Sequence, residues 1–153
     1  MLSFILRAPD LSELDDLSAL QMRSKAHWGY DAAFMAACKE ELTLTPADLS
    51  DTALVVGAVD GAMAGVAQVG PRGQDADLLA LFIDPPYMGM GLGKELFNWS
   101  VTAARQFSRD RLLIDADPDA AAFYEKMGAH RIGITPSASI PGRVLPLLEY
   151  RLR

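Results

Sequence analysis

The chain has 153 residues and a formal net charge of −6 at pH 7; half of its residues are hydrophobic and 22% are charged. This length and composition predict one folded domain, 1–153, and exclude a disordered chain. The acidic balance argues against a nucleic-acid partner, and one cysteine (Cys38) with two histidines (His27 and His130) argues against a metal site or an internal disulfide.

The first ten residues do not resemble a secretory signal, because their apolar run is short and ends at Arg7, Pro9 and Asp10. No stretch reaches the roughly 20 apolar residues that a membrane-spanning helix needs. We therefore expect a cytoplasmic protein without a membrane partner.

Hydrophobic spacing and turn residues predict the elements in chain order. They are strand 3–7, helices 11–28 and 32–41, strands 53–59, 63–69 and 76–84, helix 92–107, strand 111–116, helix 118–127, and strands 132–135 and 147–152. Asp60 and Gly61 favour a two-residue hairpin, since both tolerate positive φ. The order β-α-α-β-β-β-α-β-α-β-β predicts an α/β fold: a single mixed domain whose mostly antiparallel sheet is flanked by helices.

The most informative segment is 81–94, where a strand leads through a glycine-rich turn into a helix. The first turn of a helix has unpaired N–H groups and the positive end of the helix dipole, which suit a phosphate group. Gly89, Gly91 and Gly93 let the backbone approach an anion, and Lys94 adds positive charge. The pattern predicts phosphate binding rather than a plain turn.

Two nucleotide-binding motifs fit this segment less well. A P-loop would need glycine at Met88 and serine or threonine at Glu95. The dinucleotide fingerprint is matched by Gly89 and Gly91, but Lys94 stands in place of its third glycine. A dinucleotide-binding oxidoreductase is therefore the less favoured hypothesis, since the strands before the turn predict hairpins.

Two segments resemble the signatures of the GCN5-related N-acetyltransferases, the GNAT family. Residues 81–85 with 88–94 are similar to its acetyl-CoA-binding motif, and residues 117–129 are similar to its second signature. Met88 departs from the Arg or Gln common in the family, and Asp117 replaces the usual Asn. Because proline follows Asp117, we also expect this aspartate to cap the next helix.

The resemblance implies the acyl-CoA N-acyltransferase fold with acetyl-CoA as co-substrate. The implied cofactor-binding residues are Phe82, Ile83, Met88, Gly89, Met90, Gly91, Leu92, Gly93, Lys94, Asp117 and Tyr124. The strand through Phe82 would splay from strand 112–115, and the N–H of Ile83 would polarise the thioester carbonyl. Tyr124 matches the family's tyrosine near the cofactor sulfur, where a phenol can protonate the leaving thiolate.

The general base and the acceptor pocket are less well defined by the sequence. An attacking amine must be neutral, and the candidate bases are His27, Asp77 and Asp115. The candidate substrate-binding residues are His27, Trp28, Tyr30 and Arg143, the last of which belongs to a loop bounded by proline and glycine.

These observations predict an acetyl-CoA-dependent N-acetyltransferase that acts on a primary amine by direct attack in a ternary complex. The alternative is a catalytically silent acyl-CoA-binding or regulatory domain on the same scaffold. The acceptor would be a small-molecule or peptide amine. Residues 1–51 hold 4 basic and 9 acidic side chains, which favours a cationic small molecule. The resemblance is also compatible with a homodimer.

Overall fold

The computed structural model describes residues 3–153 of the chain, and positions 1 and 2 of the predicted domain lie outside the described residues. The strands are β1 (Phe4–Arg7), β2 (Ala53–Val59), β3 (Ala62–Arg72), β4 (Asp75–Ile83), β5 (Arg111–Asp115), β6 (His130–Pro136) and β7 (Val144–Arg151). The helices are α1 (Leu14–Ala26), α2 (Ala32–Cys38), α3 (Pro46–Asp51), α4 (Leu92–Ala104) and α5 (Ala121–Lys126). Two 3-10 turns cover Leu11–Glu13 and Pro85–Tyr87.

The strands form one sheet in the order β1-β2-β3-β4-β5-β7-β6. Neighbouring strands are antiparallel except for β4 and β5, which are parallel and joined through α4. Asp60 (φ 51°) and Gly61 (φ 85°) form the predicted hairpin between β2 and β3. The mixed, mostly antiparallel fold is confirmed, and the doubly wound sheet that a dinucleotide-binding domain requires is not present among residues 3–153.

The sheet separates two apolar layers. On one face, α1 packs Leu17 and Leu20 against Val56 and Val66 of the sheet. On the other face, α4 lies close to the strands because Gly57 and Gly65 face it. A Cβ at Gly57 would lie 2.8 Å from the Leu92 side chain. Because these glycines have no side chain, α4 packs close to the sheet, and its N-terminus lies near the end of β4.

Three details differ from the sequence-based expectation. Helix α3 was not predicted, although Thr45 and Asp48 form a capping box that starts it: the Thr45 N–H donates to Asp48 Oδ2 at 2.7 Å. Helix α4 ends at Ala104 rather than at 107. Helix α5 begins at Ala121 rather than at 118. Phe97, the most buried aromatic side chain of α4, is 1% exposed.

Within residues 3–153, no helix combines the length and the apolar character that crossing a membrane would require.

Candidate functional site

A cleft opens where β4 and β5 stop pairing. Their parallel ladder consists of Ala76 opposite Leu112 and Asp77 opposite Leu113. Beyond these pairs, β4 continues without β5 and remains paired only with β3. The β3–β4 register shifts beside this point, so that Leu79 has no partner on β3. Such a bulge bends a strand and increases its twist. The predicted splay between the two strands is therefore confirmed.

The backbone of β4 presents donors to this cleft. The Asp84 N–H donates to the Ala64 carbonyl at 2.8 Å, and the next pair along the ladder is Gly65 with Ile83. Inward and outward hydrogen-bonding positions alternate along an antiparallel strand. The Ile83 N–H therefore points away from β3, toward the side that β5 has left.

A cavity of about 670 Å³ occupies the cleft and extends beneath the end of α1. Seven of the predicted site residues line it: Trp28, Phe82, Ile83, Met88, Gly93, Asp117 and Tyr124. The other predicted site residues do not: His27, Tyr30, Gly89, Met90, Gly91, Leu92, Lys94 and Arg143.

The glycine-rich turn sits at the mouth of the cleft and leaves its backbone donors free. No hydrogen-bond acceptor within the described residues serves the N–H groups of 89–94, and the first helical bond of α4 runs from the Glu95 N–H to the Gly91 carbonyl at 3.4 Å. Gly89 (φ 78°) and Gly91 (φ 89°) adopt the left-handed conformation that favours glycine. Gly93 is helical instead, and a Cβ there would touch Phe123 at 3.5 Å.

Tyr124 lines the cavity from α5 and is fixed by aromatic packing. Its ring centroid lies 5.9 Å from that of Phe97 and 5.2 Å from that of Phe123. Its hydroxyl has no hydrogen-bond partner among the described residues. Burial, with a smaller contribution from the charge of Asp117, raises the pKa of Tyr124 well above its usual value. The phenol is therefore protonated at neutral pH and free to donate.

Asp77 lies at the last β4–β5 pair and also lines the cavity. Burial raises the pKa of this carboxyl to about 6, with Arg72 opposing the shift and Asp115 adding to it. Arg72 lies 3.6 Å from Asp77 and 3.0 Å from Asp115. A carboxyl with a pKa near neutrality can accept a proton from an ammonium group and release it again.

His27 lies outside the cavity, in contrast to the other two candidate bases. It is exposed at the C-terminal end of α1, and its ring stands edge-on to Trp28 at 6.0 Å. Its neighbour in sequence, Trp28, lines the cavity, whereas His27 does not.

Asp117 does not cap α5, and the capping prediction was wrong. The helix begins after Ala120, whose own N–H donates to the Asp117 carbonyl at 2.8 Å. The Asp117 side chain instead accepts the Asp119 N–H at 3.0 Å, which closes a turn ahead of the helix. One carboxylate oxygen is thereby left for distant partners.

Those partners form a cluster beside the cavity. The Tyr30 hydroxyl donates to Asp117 at 2.6 Å and accepts from the Arg143 guanidinium at 2.9 Å. Lys25 and Arg143 lie 3.7 and 3.6 Å from the same carboxylate. Tyr30 stacks on Phe34 at 4.0 Å, and burial with the bond to Asp117 raises the pKa of Tyr30 to about 12. Tyr30 and Arg143 therefore fix the position of Asp117, which lines the cavity, although neither of them lines it.

Sequence reasoning missed six polar residues of the lining: Ser24, Lys25, Glu41, Asp48, Gln68 and Asp119. Gln68 had a visible signal, because it is the one polar side chain in the apolar run from Ala62 to Val69. The described side chains form no group of three or more His, Cys, Asp or Glu placed to hold a metal ion.

The sequence from 13 to 136 matches the model of the acetyltransferase (GNAT) domain family. No curated protein matches the sequence closely enough to indicate a relationship.

Several solved structures share the fold. The PaiA N-acetyltransferase of Thermoplasma acidophilum, solved with coenzyme A, is 16% identical with a TM-score of 0.75; the alignment covers 97% of this chain and 99% of that one. A GNAT acetyltransferase of Staphylococcus aureus Mu50 is 14% identical with a TM-score of 0.77, over 99% and 100% of the two chains. The putative acetyltransferase YncA of Salmonella typhimurium, solved with acetyl-CoA, is 17% identical with a TM-score of 0.69, over 99% and 95%. Since the family model covers well over half of the sequence, the chain belongs to the GNAT acetyltransferase family.

Proposed function

We propose that the protein transfers the acetyl group of acetyl-CoA to a primary amine by direct attack in a ternary complex. One observation carries this proposal: the gap between β4 and β5 continues directly to the free N–H groups of 89–94. A thioester arm and a pyrophosphate need these two features side by side. Two proteins of the same fold are described as bound to coenzyme A or acetyl-CoA.

The free N–H groups at the start of α4 would hold the pyrophosphate, together with the positive end of the helix dipole. Lys94 is exposed beside them and adds positive charge. The pantetheine arm would lie along β4 past Phe82 and take the place of the missing neighbouring strand. The Ile83 N–H would then donate to the thioester carbonyl and stabilise the oxyanion.

Asp77 would accept a proton from the acceptor ammonium, directly or through water, and so free the nitrogen lone pair. The nitrogen forms a bond to the carbonyl carbon, and the carbon–sulfur bond then breaks. Tyr124 would donate its proton to the departing thiolate, since its hydroxyl has no other partner among the described residues. The amide nitrogen loses its second proton, which would reprotonate the phenolate through water, and Asp77 would release the proton that it accepted to solvent.

Catalytic turnover distinguishes the enzyme from a silent acyl-CoA-binding domain. In the first experiment, coenzyme A should raise the melting temperature while NAD(H) and ATP should not. A ligand at about 100 times its Kd stabilises the native state by roughly 2.7 kcal/mol. In the second, a panel of amines is incubated with acetyl-CoA and the free thiol is measured. Binding of coenzyme A without thiol release from any amine would favour the silent domain.

A further inference from the structure

The cavity is strongly acidic for a site that would receive an amine. Among the described residues, its lining holds one basic side chain, Lys25, and six acidic ones: Glu41, Asp48, Asp77, Asp115, Asp117 and Asp119. Asp77, Asp115 and Asp117 lie near arginine or lysine. Glu41, Asp48 and Asp119 have no cation within 4.0 Å in the part of the chain that the structure describes, and Glu41 accepts a hydrogen bond from the Ser139 hydroxyl.

Asp48 is held in a fixed orientation. Its Oδ2 accepts the Thr45 N–H at 2.7 Å, and its Oδ1 accepts from Gln68 Nε2 at 2.9 Å. The Gln68 amide nitrogen also reaches Thr52 Oγ1 at 3.1 Å. These bonds are all to neutral donors, so no cation of the described residues accompanies Asp48 at the cavity wall.

Gln68 supplies a second, independent feature. Its side chain is 5% exposed and lines the cavity, yet its Oε1 has no donor among the described residues. This oxygen is open to the cavity rather than enclosed in the core, so a ligand there can donate a hydrogen bond to it. Because Nε2 is committed to Asp48 and Thr52, the amide offers this site an acceptor and no donor.

Asp117 has different neighbours from Glu41 and Asp48. Lys25 and Arg143 both lie beside it, so cations accompany that carboxylate. Trp28 lines the cavity with 47% of its surface exposed, and an exposed indole face attracts alkylammonium groups. A cationic group in the cavity is therefore attracted to the carboxylates that have no neighbouring cation and repelled by Lys25.

We propose that the acceptor is an alkylamine with a second ammonium group, which Asp48, Glu41 and the amide oxygen of Gln68 hold while the first amine reacts. The inference rests on the proposed function, because it names the acceptor class of that same site. The second ammonium supplies N–H donors to the Asp48 carboxylate and to Gln68 Oε1. It takes no part in bond making, so the product is a mono-acetylated amine that keeps one positive charge.

The test compares α,ω-diamines, from diaminopropane to diaminohexane, with n-alkylamines of matched length at saturating acetyl-CoA. We expect kcat/KM for the best diamine to exceed that for its matched monoamine by about tenfold or more. Equal kcat/KM values for the two series would overturn the inference and leave the proposed function intact. No thiol release from any amine would instead overturn the proposed function itself.

Charge variants then locate the second ammonium. Asp48→Asn should lower kcat/KM for the diamine by about tenfold and leave the monoamine nearly unchanged. Asp51→Asn is the matched control, since Asp51 lies on the same helix, is exposed and does not line the cavity. Because Asp48 also caps α3, Glu41→Gln provides an exposed second variant, which should reduce the diamine preference about threefold. A diamine preference unchanged in both folded variants would overturn the assignment.

Discussion

The Tyr30 hydroxyl donates a 2.6 Å hydrogen bond to the Asp117 carboxylate, although 87 residues separate the two in sequence. This bond joins the segment after α1 to the turn before α5, and Arg143 adds the β6–β7 loop to the same contact. Three segments beside the cavity are thus fixed to one carboxylate.

Removing the Tyr30 hydroxyl tests this contact. Tyr30→Phe keeps the stacking on Phe34 but removes the donor to Asp117 and the acceptor for Arg143. We expect a loss of about 1 to 2 kcal/mol in the free energy of unfolding and a higher KM for the amine, with KM for acetyl-CoA nearly unchanged. Tyr87→Phe is the control, since no hydrogen bond involves that hydroxyl among residues 3–153. A KM for the amine equal to that of the control would show that the cluster does not shape the acceptor site.

Tyr124→Phe separates general-acid catalysis from packing. The ring contacts with Phe97 and Phe123 remain, and the deleted hydroxyl has no partner among the described residues. We expect kcat to fall by about 10²-fold when chemistry limits the rate, with KM for acetyl-CoA little changed. The free energy of unfolding should change by less than about 1 kcal/mol. Tyr150→Phe, which also contacts Phe97 but does not line the cavity, should keep wild-type turnover. Near wild-type kcat for Tyr124→Phe would make Tyr124 a packing residue.

Asp77 should make stability depend on pH in a defined window. Its pKa is about 6 in the folded protein against an ordinary value of 3.8, so the folded state binds more protons between those values. The contribution of Asp77 to the free energy of unfolding should therefore fall as the pH rises through this window. Asp77→Asn removes that dependence, so it should be more stable relative to wild type at about pH 7 than at about pH 4.

The same variant should reduce kcat by about 10²-fold, because the amide cannot accept the proton. Asp75→Asn, on the same strand but outside the cavity lining, is the control for both measurements. Parallel pH profiles of stability for Asp77→Asn and wild type would contradict the raised pKa.

The glycine turn can be tested against a matched turn elsewhere. Gly91 and Gly73 both have positive φ, at 89° and 61°, so valine is strained at either position. Each variant should lose about 1 to 3 kcal/mol of stability. Gly91→Val should also lose the rise in melting temperature that coenzyme A gives, whereas Gly73→Val should retain it. If coenzyme A raised the melting temperature of both folded variants equally, the glycine turn would not be part of the phosphate site.

Much of the fold followed from local patterns in the sequence. The Asp60 hairpin and the glycine turn depend on backbone conformations that few residues adopt, so neighbouring residues reveal them. The role of Asp117 could not be predicted in this way, because Tyr30 meets it only after the chain has folded. Asp48 of α3 and Gln68 of β3 likewise come together only when α3 packs beside the sheet. Polar residues brought together by tertiary packing therefore leave little signal at any single position.

In the proposed reaction, the acetyl group moves from acetyl-CoA to an amine at this cavity. Free CoA thiol and acetylated amine can both be quantified in one reaction with a diamine and acetyl-CoA. We expect equal amounts of the two products in wild type and a parallel loss of both in Tyr124→Phe. Thiol release without acetylated amine, or no turnover while coenzyme A still raises the melting temperature, would contradict it.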